Sequence, residues 1–264
     1  MPSALARNWP TGDPLSNSPK SFSSAKARLF SRGSTLTRAP QHNPCRVLDF
    51  SDQLVPYEQA WQWQRKHVQH MISQQDHLDS GAEPSNQGVL DTLLLLQHPP
   101  VFTLGSGSTL ENLRFDPAQA PAPLFRTERG GEVTAHSPGQ LVAYPILNLR
   151  HHQQDLHWYM RSLEEVIMRC LEEVAGIQGV RVPGMTGVWV GDKKIAAIGV
   201  RVSRWITYHG LALNVTNDLS FFDHIVPCGL EGRGIWSAEC TSTNRGDSLA
   251  ASVSSLSDVS ARDH

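Results

Sequence analysis

The sequence predicts an α+β domain, a mixed sheet with helices packed on it. Two observations carry that expectation: strand-like runs follow one another through hairpin signals, and two stretches of helical spacing lie among them without alternating strand for strand. At 264 residues, 39% of them hydrophobic, the chain is long enough to bury one substantial core.

The elements follow in order. From about Tyr57 to Ile72 a helix is expected with Tyr57, Ala60, Trp61, Val68, Met71 and Ile72 turned inward, and the polar run from Ser73 to Gln87 reads as a surface loop. DTLLLLQ (91–97) and QLVAYPI (140–146) read as strands. Leu156, Tyr159, Met160, Leu163, Val166, Ile167, Cys170, Leu171 and Val174 recur at spacings of three and four, which makes one apolar helix face and puts Cys170 in the core. GVWV (187–190), KIAAIGVRV (194–202) and ITYHGLALNV (206–215) complete the strands. Gly191-Asp192 suits a two-residue turn between the first two of these. Both helices are expected on one face of the sheet.

The ends differ from the middle. Residues 1–40 carry six Lys and Arg against the single acid Asp13, amid serines, the composition of an organellar transit peptide and of a disordered leader. The ordered body is expected over residues 44–235, and the Ser- and Asp-rich residues 237–264 as a disordered tail.

Composition excludes several classes. A net charge of -2 offers no basic face to nucleic acid, and no apolar run approaches the ~20 residues of a membrane span. Cys45, Cys170, Cys228 and Cys240 are scattered and form no C-x-x-C pair, so neither a disulfide framework nor a zinc site is expected. His151-His152 reads as a solvated turn, and no metal or cofactor is assigned. LGSGST (104–109) matches neither a phosphate loop nor a dinucleotide fingerprint.

Three segments hold residues that strands and helices do not need. In RGGEVTAHSPGQLVAYPI (129–146), Gly130 and Gly131 allow close backbone approach to a ligand, or simply connect two strands. Lys194 opens an otherwise apolar strand, either as a solvated edge charge or as a functional cation. His209 and Gly210 interrupt a strand pattern, the mark of a bulge, a satisfied core histidine or an acid–base group. In IVPCGL (225–230), Cys228 is a buried bystander or a nucleophile.

In order along the chain, LLLLQHPPVFTLG (93–105), RGGEVTAHSPGQLVAYPILNLR (129–150), TGVWVGDKKIAAIGVRVSRWITYHGLALNV (186–215) and IVPCGL resemble the lipoyl(octanoyl) transferases of plants and algae. The resemblance implies the catalytic fold shared with biotin and lipoate protein ligases, and transfer of an octanoyl group from octanoyl-acyl carrier protein to a lipoyl-domain lysine. It implies Cys228 as the thioester nucleophile and Lys194 as the cation that lowers the thiol's pKa, or as a base. It implies acyl-site segments at Arg129, Gly130, Gly131, Glu132, Val133, Thr134, Ala135 and His136, at Ala197, Ile198 and Gly199, and at Gly210, Leu211 and Ala212, with His209 in support. The acceptors it implies are lipoyl domains of 2-oxoacid dehydrogenase E2 subunits and the glycine cleavage H protein, for a monomer in the plastid or else the mitochondrion. Backbone amides of the glycine segments are the expected oxyanion donors. An ATP-dependent ligase on the same fold and an inactive form that only binds acyl carrier protein or lipoyl domains are the alternatives.

Two departures from the family pattern carry expectations. Ser137 stands where the pattern has glycine, which weakens binding if that position needs a positive φ, and Ala135 replaces an aromatic and makes the site wall smaller. After Leu230 the sequence is expected to leave the family, without its C-terminal helix.

Overall fold

A computed structural model describes residues 26–29, 44–81, 90–226 and 234–239. Strands β1 (Lys26–Leu29) and β2 (Cys45–Leu54) lead into helix α1 (Tyr57–Asp79), which returns the chain to β3 (Asp91–Gln97). Three short strands follow, β4 (Val101–Leu104), β5 (Leu124–Arg126) and β6 (Thr134–His136), then β7 (Gln140–Ile146). Helix α2 (Leu156–Ala175) precedes β8 (Val180–Val182), β9 (Met185–Val190), β10 (Lys193–Ser203) and β11 (Ile206–Asn214). Among the described residues these make an eight-stranded sheet in the order β1-β2-β3-β7-β11-β10-β9-β8 and a small sheet in the order β5-β4-β6. In the large sheet the β2–β3 pair is parallel, as the intervening helix requires, and β3–β7 and β7–β11 are antiparallel. The mixed α+β sheet is therefore as expected.

The two helices lie on opposite faces, which corrects the expectation of one. Val142 and Tyr144 of β7 and Tyr208 and Ala212 of β11 pack with Ala60, Trp63, Val68 and Met71 of α1. Leu141, Leu211 and Leu213, one residue out of step, pack with Ile167, Leu171 or Leu163 of α2. Side chains alternate along a strand, so an apolar run such as β11 is covered on both sides.

Helix α1 continues to Asp79, seven residues into the stretch expected to be a loop; residues 82–89 lie outside the described residues. Polar contacts sustain this last part: Gln75 donates to Asp79 one turn on (2.8 Å), Arg150 pairs with Asp79 (3.1 Å), and Arg204 pairs with Asp76. Trp63 is buried where Trp61 was expected to be, because Trp61 turns to donate to Glu128 (3.2 Å). In α2 the apolar face is narrower than expected, with Leu156 and Val166 exposed and Cys170 half-buried. Asp155 starts this helix by accepting from the N–H groups of His157 and Trp158 (2.8 and 3.1 Å). Glu164 is buried on the same helix, where it accepts from Arg161 (2.7 Å), Arg181 (3.0 Å) and the Gly187 N–H (3.1 Å). His151 and His152 are exposed, as expected of a solvated turn, and His152 Nε2–H donates to buried Asp91 (2.8 Å).

The β9–β10 and β10–β11 hairpin turns are tight. Gly191 takes φ 61 between β9 and β10, as the sequence allows. Between β10 and β11 the turn is Arg204-Trp205, both with positive φ (52 and 69) and neither a residue type that announces it. At the ends, Lys26–Leu29 departs from the expected disorder by pairing antiparallel with β2, which would otherwise present an open edge. Beyond residue 235, Ala238 is buried in the α2-side core and the Glu239 N–H donates to the Val215 carbonyl (3.0 Å). The rest of the expected leader and tail lies outside the described residues. Among the described residues no helix is long and apolar enough to cross a membrane.

Candidate active site

On the α1 face of the β10–β11 hairpin the cross-strand pairs Ala197–Ala212 and Gly199–Gly210 are all small. Every second residue shares a face, so these two pairs form a trough between larger neighbours. Residues 129–136 cross above it and enclose a cavity of about 220 Å³.

Most of the residues singled out in the sequence meet there. Arg129, Gly131, Glu132, Val133, Thr134 and His136 line the cavity from the loop, Lys194, Ala197, Ile198 and Gly199 from β10, and His209, Gly210, Leu211 and Ala212 from β11. Gly130 and Ala135 do not line it. Gly130 donates its N–H to the Val200 carbonyl (2.9 Å), which ties the loop down onto the hairpin. Ala135 packs with Phe102, Leu104 and Phe222 in the small-sheet core, so it does not shrink the cavity wall. Ser137 is buried without a positive φ, and the strain expected there is absent. Tyr57, Val142, Tyr144, Gly184, Met185 and Thr186 complete the lining and were not singled out. The inward position of Tyr57 on its helix was the available signal.

Arg129 is the internal brace of the loop. Its guanidinium donates to the carbonyls of Thr103 (2.7 Å), Glu132 (2.9 Å) and Gly130 (3.0 Å). LGSGST, which matched no phosphate loop, backs this brace: the N–H groups of Ser106 and Gly107 donate to the carbonyls of Arg129 (2.8 Å) and Gly131 (3.3 Å). Gly105 and Gly139 donate to Glu132 and to the Gln97 side chain. The amides of Gly105, Gly107, Gly130 and Gly139 are thus engaged within the protein, and the expected oxyanion role does not fall to them.

Lys194 is buried, not a solvated edge charge. The β9–β10 register advances two residues from Lys194 to Ala196 against one from Trp189 to Val188, a bulge with Ile195 as the extra residue. Ile195 and Ala196 consequently both join the α2-side core, and Lys194 turns to the cavity face shared by Ala197 and Gly199. Its Nζ lies 5.0 Å from the Trp189 ring centroid. Its stem passes Gly187, whose φ of 123 and proximity to the Ala196 carbonyl leave no room for a Cβ.

Beneath the cavity sits a set of neutral histidines. Burial pushes His98 down to about 4, so its Nδ1–H donates to the Val55 carbonyl (2.6 Å) and its Nε2 accepts from the Tyr144 hydroxyl (2.8 Å). Burial, reinforced by His98, pushes His136 down to about 3. Gln140 donates its amide N–H to Asn214 (2.9 Å), which leaves its oxygen to accept from His136 Nδ1–H (2.7 Å) and leaves His136 Nε2 as an acceptor. His209 is pushed down to about 4 by burial, against the opposing pull of Glu128. By contrast, the thiols of Cys45 and Cys170 are pushed up to about 11, chiefly by burial, and make poor nucleophiles.

Cys228 lies outside the described residues, as does Cys240. The chain on either side of Cys228 is held at the site. The Val226 N–H donates to the Asn112 carbonyl (2.8 Å), and Lys194 exchanges backbone hydrogen bonds with Gly234 (3.1 Å) and Trp236 (3.0 Å). Phe222 and Ile235 line a small annex of the cavity together with Lys194.

Residues 56–263 match the lipoyl protein ligase A/B catalytic domain, including the tail expected to leave the family. The chain is 53% identical over 195 residues to a chloroplastic octanoyltransferase of Arabidopsis thaliana, covering 74% of this chain and 67% of that protein. It is 54% identical over 196 residues to an octanoyltransferase of Synechocystis, covering 74% and 80%. Its fold is similar to that of lipoate-protein ligase A solved with ATP (TM-score 0.50, 15% identity, 71% of this chain and 77% of that one). A T. acidophilum protein solved with lipoic acid is similar to the same degree (TM-score 0.50, 16% identity, 71% and 79%). The chain therefore belongs to the lipoyl protein ligase A/B catalytic family, and within it to the octanoyltransferases. It is an acyltransferase that moves an octanoyl group onto lipoyl domains in protein lipoylation.

Proposed function

We propose that Cys228 takes the octanoyl group from octanoyl-acyl carrier protein as a thioester and that Lys194 assists it. The thiolate attacks the thioester carbonyl, the bond to the phosphopantetheine sulfur breaks, and that thiolate leaves and takes up a proton. The ε-amine of a lipoyl-domain lysine then attacks the Cys228 thioester, the amide forms, and the amine's proton is lost as the Cys228 thiolate departs. Two easier steps replace one hard one. A cation beside a thiol favours the thiolate, so the buried ammonium of Lys194 is the activating group.

The observation that carries this reading is the anchoring of the chain around Cys228. It is two residues from Val226, a reach of about 7 Å at most, and Gly234 on the other side is bonded to Lys194 itself. The high thiol pKa values of Cys45 and Cys170 support it further. The E2 subunits of 2-oxoacid dehydrogenases and the glycine cleavage H protein are the acceptors in this reading, the plastid is the compartment, and a monomer is the working unit. The basic leader and the chloroplastic relative support the compartment.

Intact-protein mass spectrometry after mixing with octanoyl-acyl carrier protein tests the proposal. A single octanoyl adduct, released by hydroxylamine and missing from Cys228→Ser, is the expected result. An adduct that survives in Cys228→Ser would overturn it, and transfer that depends on ATP and free octanoate would make the protein a ligase.

A further inference from the structure

One end of the trough is closed: His209 and Tyr144 there are 1% and 4% exposed. The closure falls at the Val200–His209 pair, where the Gly130 N–H also pins the loop to Val200.

His209 should not face the trough at all. By strand alternation it belongs with Leu211 and Leu213 on the α2 side. Its φ of 57 breaks the alternation. The imidazole stacks on Tyr208, the adjacent residue, at 5.0 Å and meets Tyr144 edge-on at 6.4 Å, both of which belong to the α1 face. A positive φ in a histidine is strained and persists only where surroundings impose it. Here the Gln64 side chain holds the His209 N–H at 2.8 Å. Among the described residues neither ring nitrogen has a hydrogen-bond partner, and the Glu128 carboxylate lies 4.0 Å from Nε2.

We infer that His209 is the chain-length stop of the acyl site, a specificity-determining residue whose imidazole is turned into the end of the trough to meet the terminal methyl group. The inference rests on the proposed reactive end at Lys194. From the Ala197–Ala212 pair to the Val200–His209 pair is three residues, about 10 Å at the rise of a strand. An extended eight-carbon chain, advancing about 1.25 Å along its axis per carbon–carbon bond, spans roughly 9 Å and just fits. A chain two carbons longer would press its end into a buried, desolvated imidazole braced by two tyrosines.

The test is competition between equimolar octanoyl- and decanoyl-acyl carrier protein for a lipoyl domain, with the acylated domain read by mass. His209→Gly removes the ring and suits the positive φ, and His209→Asn shortens the side chain with a residue that tolerates the same backbone. The decanoyl-to-octanoyl product ratio is expected to rise about tenfold in His209→Gly, the gain for burying two further methylenes, and by less in His209→Asn. Wild-type discrimination in either folded variant would overturn the inference, as would folded variants that transfer neither chain. Because the product is weighed on the acceptor lysine, the ratio is readable whether or not Cys228 carries the intermediate.

Discussion

On the face of the β10–β11 hairpin that meets α2, the cross-strand pairs are Ala196–Leu213 and Ile198–Leu211, packed with Ile167, Leu163 and Tyr159. On the face that meets the loop of residues 129–136, the pairs are Ala197–Ala212 and Gly199–Gly210, and the space above them is the cavity. The same two strands thus hold the fold together on one side and leave room for substrate on the other. Substitutions on the two faces should separate, one set reading out in stability and the other in transfer.

The largest effect is expected at the bulge. Lys194→Met should lower octanoyl transfer by about 10³-fold while the melting temperature holds or rises, since methionine keeps the stem and removes a buried charge. An equal fall in stability would return Lys194 to the structural side. Acid should act next, and from the α1 side, where His67, His98, His136 and His209 all lie buried. Burial holds them at about 4, 4, 3 and 4, below the ordinary 6.5. The unfolded chain takes up protons below pH 6.5 that the folded chain refuses, so stability is full above that value and drains as pH falls toward 4. At up to about 1.4 kcal/mol per pH unit for each group, a loss of up to roughly 6 kcal/mol between pH 6.5 and 5 is expected in denaturant titrations. A flat profile there would show the histidines to be solvated.

Leu213→Ala, on the filled face, should cost about 3 kcal/mol of stability and leave the chain-length ratio untouched. Ala212→Val, its neighbour on the hollow face, should slow octanoyl transfer about tenfold with little change in melting temperature, because its methyl groups enter the trough. If the two variants behaved alike, the division between faces would fail. Smallest of all, Ser137→Gly should change stability by under about 1 kcal/mol and transfer by under about twofold, since Ser137 neither lines the cavity nor holds a positive φ.

Regular periodicity made most of the long elements legible, though not the ten-residue β2. Strands β3, β7, β10 and β11 and helix α2 lie where alternation and helical spacing put them. The short strands β4, β5 and β6, three or four residues each, carry too little pattern to be seen in advance. The site residues were legible through four ordered motifs, and most of them line one cavity. What the pattern could not reveal is how two of them come to face it. Lys194 is turned by one extra residue at Ile195, and His209 by one backbone dihedral, and both are breaks in the very alternation that a sequence reading relies on.

Glu164 has a consequence for how the protein breathes. One buried carboxylate holds Arg161 on its own helix, Arg181 on β8 and the Gly187 amide on β9. Opening any one of these strands an ionised group away from water, so α2, β8 and β9 are expected to open together or not at all. The strand that flanks Lys194 is therefore expected to exchange its amide hydrogens together with the α2 core, which would seat the lysine beside a slow-opening part of the molecule.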